Sequence, residues 1–96
     1  MKTHLVLPIQ HKNGHGGEMR AVKTYKETIP CFEGMCVSDV ALHRNEQLLT
    51  VQKVTLATSD PCLIVLLSPY YTEGDETVEE VNRMFLQQGW TPGIDG

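Results

Sequence analysis

"HKNGHGGEMRAVKTY", residues 11–25, decides between two folds. Read as a glycine-rich loop entering a helix, it would make an anion cradle at a helix N-terminus. Read as a turn entering a strand, it makes a hairpin. Periodicity leaves both open: Met19, Ala21 and Tyr25 share a strand face, whereas Met19, Val22, Tyr25 and Ile29 share a helical stripe. Two features select the strand. Asn13-Gly14 is a strong hairpin signal. "NGHGGE" also lacks both spacings of phosphate loops, G-x-G-x-x-G and G-x-x-x-x-G-K-[ST].

The same turn bears on chemistry. A type I′ turn at Asn13-Gly14 sets Lys12 opposite His15 and His11 opposite Gly16, so the two histidines point to opposite faces. Only a wider loop over 12–17 would let His11 and His15 converge on a metal. They are the weak metal candidates of the chain, and no recognised ligand spacing accompanies them. The expectation is therefore no metal and no cofactor.

Working outward from the hairpin, "HLVLPIQ" (4–10) is an apolar, β-rich run in which Pro8 suggests an edge position or a bulge. After Pro30, "CFEGMCVSDVALH" places Phe32, Cys36, Val40 and Leu42 on one strand face, with Gly34 where a bulge could sit. "HRNEQ" is a polar turn. In "LLTVQKVTLAT" the alternation runs Leu49, Val51 and resumes as Val54, Leu56, a one-residue phase change that predicts a β-bulge at Gln52-Lys53. "SDPC" is a turn, and "CLIVLLS" is apolar on both faces, hence a central strand.

"DETVEEVNRMFLQQG" (75–89) predicts the one helix. Val78, Val81 and Phe85 form its apolar stripe, flanked by Met84 and Leu86. Asp75 is one candidate N-cap; Thr77 with Glu80, as a T-x-x-E capping box, is the other. Gly89 fits the position just past the C-cap, Trp90 should fold back onto the sheet, and the tail 90–96 should be partly frayed. The expected fold is α+β, a single domain over 1–96. It has an antiparallel sheet of four to five strands, with room to curl toward a half-barrel, and one C-terminal helix across one face.

Composition narrows the function classes. The longest apolar run, "CLIVLL", is far short of the ~20 residues of a membrane-spanning helix. The N-terminal apolar run is interrupted too early for a secretory segment, and three cysteines are an odd count for a disulfide framework. The expected setting is the cytoplasm, with buried, reduced thiols. Charge is uneven: residues 1–26 carry five cations against Glu18, and residues 54–96 carry seven carboxylates against Arg83. The net charge of −4 speaks against a nucleic-acid partner.

One short helix covers one side of a sheet, yet "CLIVLL" is apolar on both. Barrel-like closure, a second subunit or a ligand must cover the other side. The leading expectation is a small non-enzymatic binding or interaction domain, homodimeric through that apolar face. Tyr70 and Tyr71 in "SPYYTEGD" are its weak binding candidates, one expected inward and one outward. The alternative is a small enzyme or metal-dependent module using histidines near the hairpin tip.

Overall fold

A computed structural model describes residues 1–14, 16–39, 41 and 49–93. Six strands precede one helix: β1 (Lys2–His11), β2 (Glu18–Tyr25), β3 (Cys36–Val37), β4 (Leu49–Ala57), β5 (Cys62–Leu67), β6 (Tyr70–Thr72) and α1 (Val78–Gln87). They form one sheet in the order β2-β1-β5-β4-β3, with β6 also on β1. The sheet curls into a half-barrel with α1 against one face, so the fold is α+β.

The two hairpins, β1–β2 and β4–β5, are antiparallel, but β1 pairs parallel with both β5 and β6, so the sheet is mixed. Turn chemistry specifies only strands adjacent in sequence. The pairing of the first strand with the fifth depends instead on two nearly continuous apolar runs, a pattern of buried parallel strands. β1 is thus central rather than an edge, and Pro8 is accommodated differently. The β5 ladder ends at Val6–Leu66 and the β6 ladder begins at Ile9–Tyr70. Pro8, which has no N–H to give, lies in the gap between them.

The bulge is where the phase change puts it: the β4–β5 register shifts between Val51 and Lys53. Among the described residues, the strand expected over 31–43 is limited to the two residues of β3. Gly34 (φ +87°) makes a turn rather than a bulge, with the Met35 N–H donating to the Phe32 carbonyl at 3.1 Å. Phe32 is consequently 64% exposed. Val40 and Leu42, and the turn "HRNEQ", lie outside the described residues.

Both ends of α1 follow from local chemistry. Thr77 is the N-cap, its Oγ1 accepting the Glu80 N–H at 3.1 Å, and Glu79 and Glu80 sit at the positive end of the dipole. At the other end Gly89 takes φ +91°, and the Trp90 N–H donates back to the Phe85 carbonyl at 3.2 Å. This is a Schellman closure, and its usual apolar contact is present as a Phe85–Trp90 edge-to-face pair at 5.4 Å. Phe85 also meets Tyr70 edge-on at 5.7 Å. Around these rings pack Leu5, Leu7 and Ile9 of β1, Val65 and Leu67 of β5, and Val78 and Val81 of α1.

Of the tail, Thr91 bridges Val22 on the outer edge of β2 by two backbone hydrogen bonds, at 2.6 and 2.7 Å. Trp90 lies in the core on the helix side, and Pro92 emerges beside the other sheet face. Residues 94–96 lie outside the described residues.

Candidate functional site

The loop between β1 and β2 is wider than a two-residue turn. The last paired residues are Gln10 and Glu18, so seven residues cross between the strands. A type I′ turn at Asn13-Gly14 requires positive φ at both, and Asn13 does not have it. The turn instead spans His11–Gly14, closed by the Gly14 N–H donating to the His11 carbonyl at 2.9 Å. The expected pairing of Lys12 with His15 involves a residue, His15, that lies outside the described residues.

His11 is engaged at both ring nitrogens. Nδ1 accepts the Asn13 N–H at 3.0 Å, which assigns the proton to Nε2, and Nε2 donates to the Gly74 carbonyl at 3.1 Å. Lys12 Nζ meets Glu73 at 3.0 Å, and its N–H donates to the Thr72 carbonyl. These contacts stitch the first loop to the turn before α1, around a cleft of about 450 Å³ with Asp75, Glu76 and Glu79 in its wall. His4 lies about 23 Å from His11 along β1, and its Nδ1 is hydrogen-bonded to Thr24 Oγ1 at 2.7 Å. Among the described residues, no three His, Cys, Asp or Glu side chains are grouped to hold a metal.

The two tyrosines separate as the pleat requires. Tyr70 is fully buried against Phe85, while Tyr71 is exposed beside Gln10 across the β1–β6 ladder. Neither lines the groove described next.

That groove lies on the sheet face opposite α1. Alternation along each strand sends Leu5, Leu7 and Ile9 to the helix and Val6 to the other side. The ladders then place Val22, Val6, Leu66 and Lys53 in one row across four strands. The next row contains Ile64 and Thr55. Together with Arg20, Pro92 and Gly93 these residues line a groove of about 500 Å³. Val6 and Val22 are buried in its floor, Ile64 and Leu66 are half-buried, and Lys53 and Arg20 are exposed at its sides. Its lining includes two cations and no Asp, Glu, His or Cys. Arg20 is loosely held by Glu18, Nε to Oε2 at 3.4 Å, whereas Lys53 has no ion pair among the described residues. The apolar surplus of "CLIVLL" is thus partly absorbed by neighbouring strands and the Pro92 segment, and what remains open is a trough with basic sides.

Among the described residues, the titratable groups with shifted pKa values lie elsewhere, on the helix side. Lys23 Nζ meets Asp39 Oδ2 at 2.7 Å, with side chains only 22% and 8% exposed. Asp39 Oδ1 also accepts from Trp90 Nε1 at 3.2 Å and from the Ala41 N–H at 3.0 Å. Burial alone would raise the Asp39 carboxyl, but the Lys23 hydrogen bond, with those from Ala41 and Trp90, holds it below its ordinary value. The hydrogen bond to Asp39 raises Lys23 above its own, against desolvation. Lys23 Nζ lies 5.8 Å from the centre of the Trp90 ring. Joined by these bonds, the cluster reads as a clasp that holds Asp39, Ala41 and the chain after α1 onto β2.

The sequence pointed to the second face of β5 as apolar and uncovered, but not to the basic residues at its sides. Lys53 carries a signal in sequence, since it follows the predicted bulge. Which residue it neighbours on β5 depends on how the bulge is absorbed. No protein-family model matches the chain, and neither a curated protein nor a solved structure matches it.

Proposed function

We propose that this chain is a non-enzymatic binding domain whose groove on the second sheet face takes a small amphipathic molecule with an apolar body and an acidic group. One observation carries the reading: an apolar row, Val22-Val6-Leu66, ends at a lysine with no carboxylate beside it among the described residues. The groove volume falls in the range of small-molecule sites. The row from Val22 to Leu66 spans roughly 10 Å, two interstrand spacings, which suits a chain of eight or so carbons. A carboxylate at Lys53 then leaves the apolar floor to the chain. The alternative use of histidines near the hairpin tip receives less support, because His11 already has both ring nitrogens bonded.

A second copy seated face to face on this floor is the other reading. Half-exposed Ile64 and Leu66 favour it, but a twofold contact there brings the cations Arg20 and Lys53 of one copy toward those of the other, so the small anion is preferred. The three free thiols, Cys31, Cys36 and Cys62, suit a reducing compartment such as the cytoplasm. Among the described residues, no helix is long and apolar enough to cross a membrane.

The test is a titration of isotope-labelled protein with octanoate, octanol and octyltrimethylammonium, followed by NMR. Octanoate should give saturable shifts at Val6, Val22, Ile64 and Leu66, and Lys53→Gln should weaken it by roughly five- to tenfold. Equal binding of the cationic probe, or no saturable shift with octanoate below its aggregation concentration, would refute the reading.

A further inference from the structure

β4 is paired with β5 along one side. Among the described residues its other side is occupied only in part: by β3 at Leu49 and Thr50, and by the Gly34–Met35 turn, which exchanges two 2.8 Å backbone hydrogen bonds with Val51. The bulge at Gln52 ends that cover. From Lys53 to Ala57 the outer edge of β4 has no ladder partner among the described residues, and Leu56 in this stretch is 55% exposed. An open edge with an exposed leucine is a template for another strand.

The geometry points to a second copy of this chain as the occupant, with two β4 edges paired antiparallel about a twofold axis at Thr55. The argument is one of self-complementarity. A twofold axis normal to the sheet keeps each face on the same side, so the register must centre on a residue and not between two. Centred on Lys53, it would set the two ammonium groups directly opposite one another, which is destabilising. Centred on Thr55, it sets Val54 against the partner's Leu56 and Leu56 against the partner's Val54. Lys53 then lies against the partner's Ala57. The two lysines end up about 14 Å apart along the strand direction, beyond the screening length of physiological salt. Each exposed Leu56 gains a β-branched cross-strand neighbour, and Thr55 meets its own copy.

The contact has a consequence for the groove. Lys53 and Thr55 line it, so edge pairing sets the two grooves side by side across the axis. Leu56 lies on the helix side and does not line the groove, so a substitution there tests the dimer separately from ligand binding.

Light scattering on the full chain up to about 100 μM, where even a weak contact populates the dimer, together with one cysteine variant, tests this. The mass should rise from 10.8 kDa to about twice that value. Leu56→Lys, at an exposed position that the fold does not need, should raise the dissociation midpoint at least about tenfold while leaving the thermal melt unchanged at concentrations where both proteins are monomeric. Thr55→Cys should cross-link to itself between copies on oxidation, since directly opposed antiparallel residues lie within disulfide reach. A single 10.8 kDa species throughout would overturn the inference. So would a dimer indifferent to Leu56→Lys, or a cross-link from position 55 to Cys31, Cys36 or Cys62 in place of itself.

Discussion

The clasp at Asp39 makes the most demanding prediction, because its parts can be removed one at a time. The carboxylate accepts three hydrogen bonds: from Lys23 Nζ at 2.7 Å, from the Ala41 N–H at 3.0 Å and from Trp90 Nε1 at 3.2 Å. Asp39→Ala leaves the Ala41 and Trp90 donors without an acceptor, and an unpaired buried donor costs about 1–3 kcal/mol. Lys23 retains some access to water, so its share is discounted. The expected loss is about 3 kcal/mol. Asp39→Asn preserves one acceptor oxygen and removes the charge, for a loss of about 1.5 kcal/mol.

Urea unfolding between pH 2 and 8 is the assay. The carboxyl is held below its ordinary value of 3.8 in the folded protein, so its stabilisation is fully present above that value. It is lost as pH falls through the depressed folded value. The gap between wild type and Asp39→Asn should therefore be constant above about pH 5 and close below pH 4. Lys23 works in the opposite direction. Raised above its ordinary value of 10.5, it contributes fully below that pH and is lost as pH rises through the folded value. A gap under about 0.5 kcal/mol at pH 7, or one unchanged at pH 3, would refute the clasp as a stabilising unit.

Three further substitutions probe the rest of the fold. Thr77→Ala removes the acceptor for the Glu80 N–H and should cost about 1 kcal/mol in urea unfolding, with Thr77→Ser nearly silent. Thr72→Val replaces a buried hydroxyl that has no hydrogen-bond partner with an isosteric methyl. It should raise stability by about 1 kcal/mol, and a loss of that size would mean the hydroxyl is satisfied after all. Phe85→Ala removes the ring between Tyr70 and Trp90 and should cost about 3–5 kcal/mol, with a blunted near-ultraviolet signal from Trp90.

What could be read from sequence was local. The N-cap at Thr77, the Gly89 exit, the return of Trp90 and the bulge after Val51 each depend on residues within a few positions of one another. Their physics is complete in a short window. The misread features needed distant partners or one dihedral angle. Asn13-Gly14 has the residues of a type I′ turn, yet the contacts of His11 with Gly74 and Lys12 with Glu73 favour the wider loop. Gly34 suits a bulge or a turn equally well, and the bonds of Val51 to Gly34 and Met35 select the turn. The parallel β1–β5 pairing is specified by no turn at all. The groove was legible as an uncovered face, but its character depends on Lys53 arriving beside Leu66, which the bulge settles only once β4 and β5 have paired.

β1 has a further consequence, for the order in which the chain is made. Its partner β2 follows within one hairpin, but β5 ends at Leu67, 42 residues after Tyr25 closes β2. At about 5–20 residues per second, the β1–β2 hairpin waits roughly 2–8 s on the ribosome with the β5-facing edge of β1 bare. Leu5, Leu7 and Ile9 have no helix to pack against until later still, since α1 ends at Gln87. The interval in which this protein is most exposed to misassembly is thus set by its own topology. A change that delays the emergence of β5 after β2 would lengthen that interval.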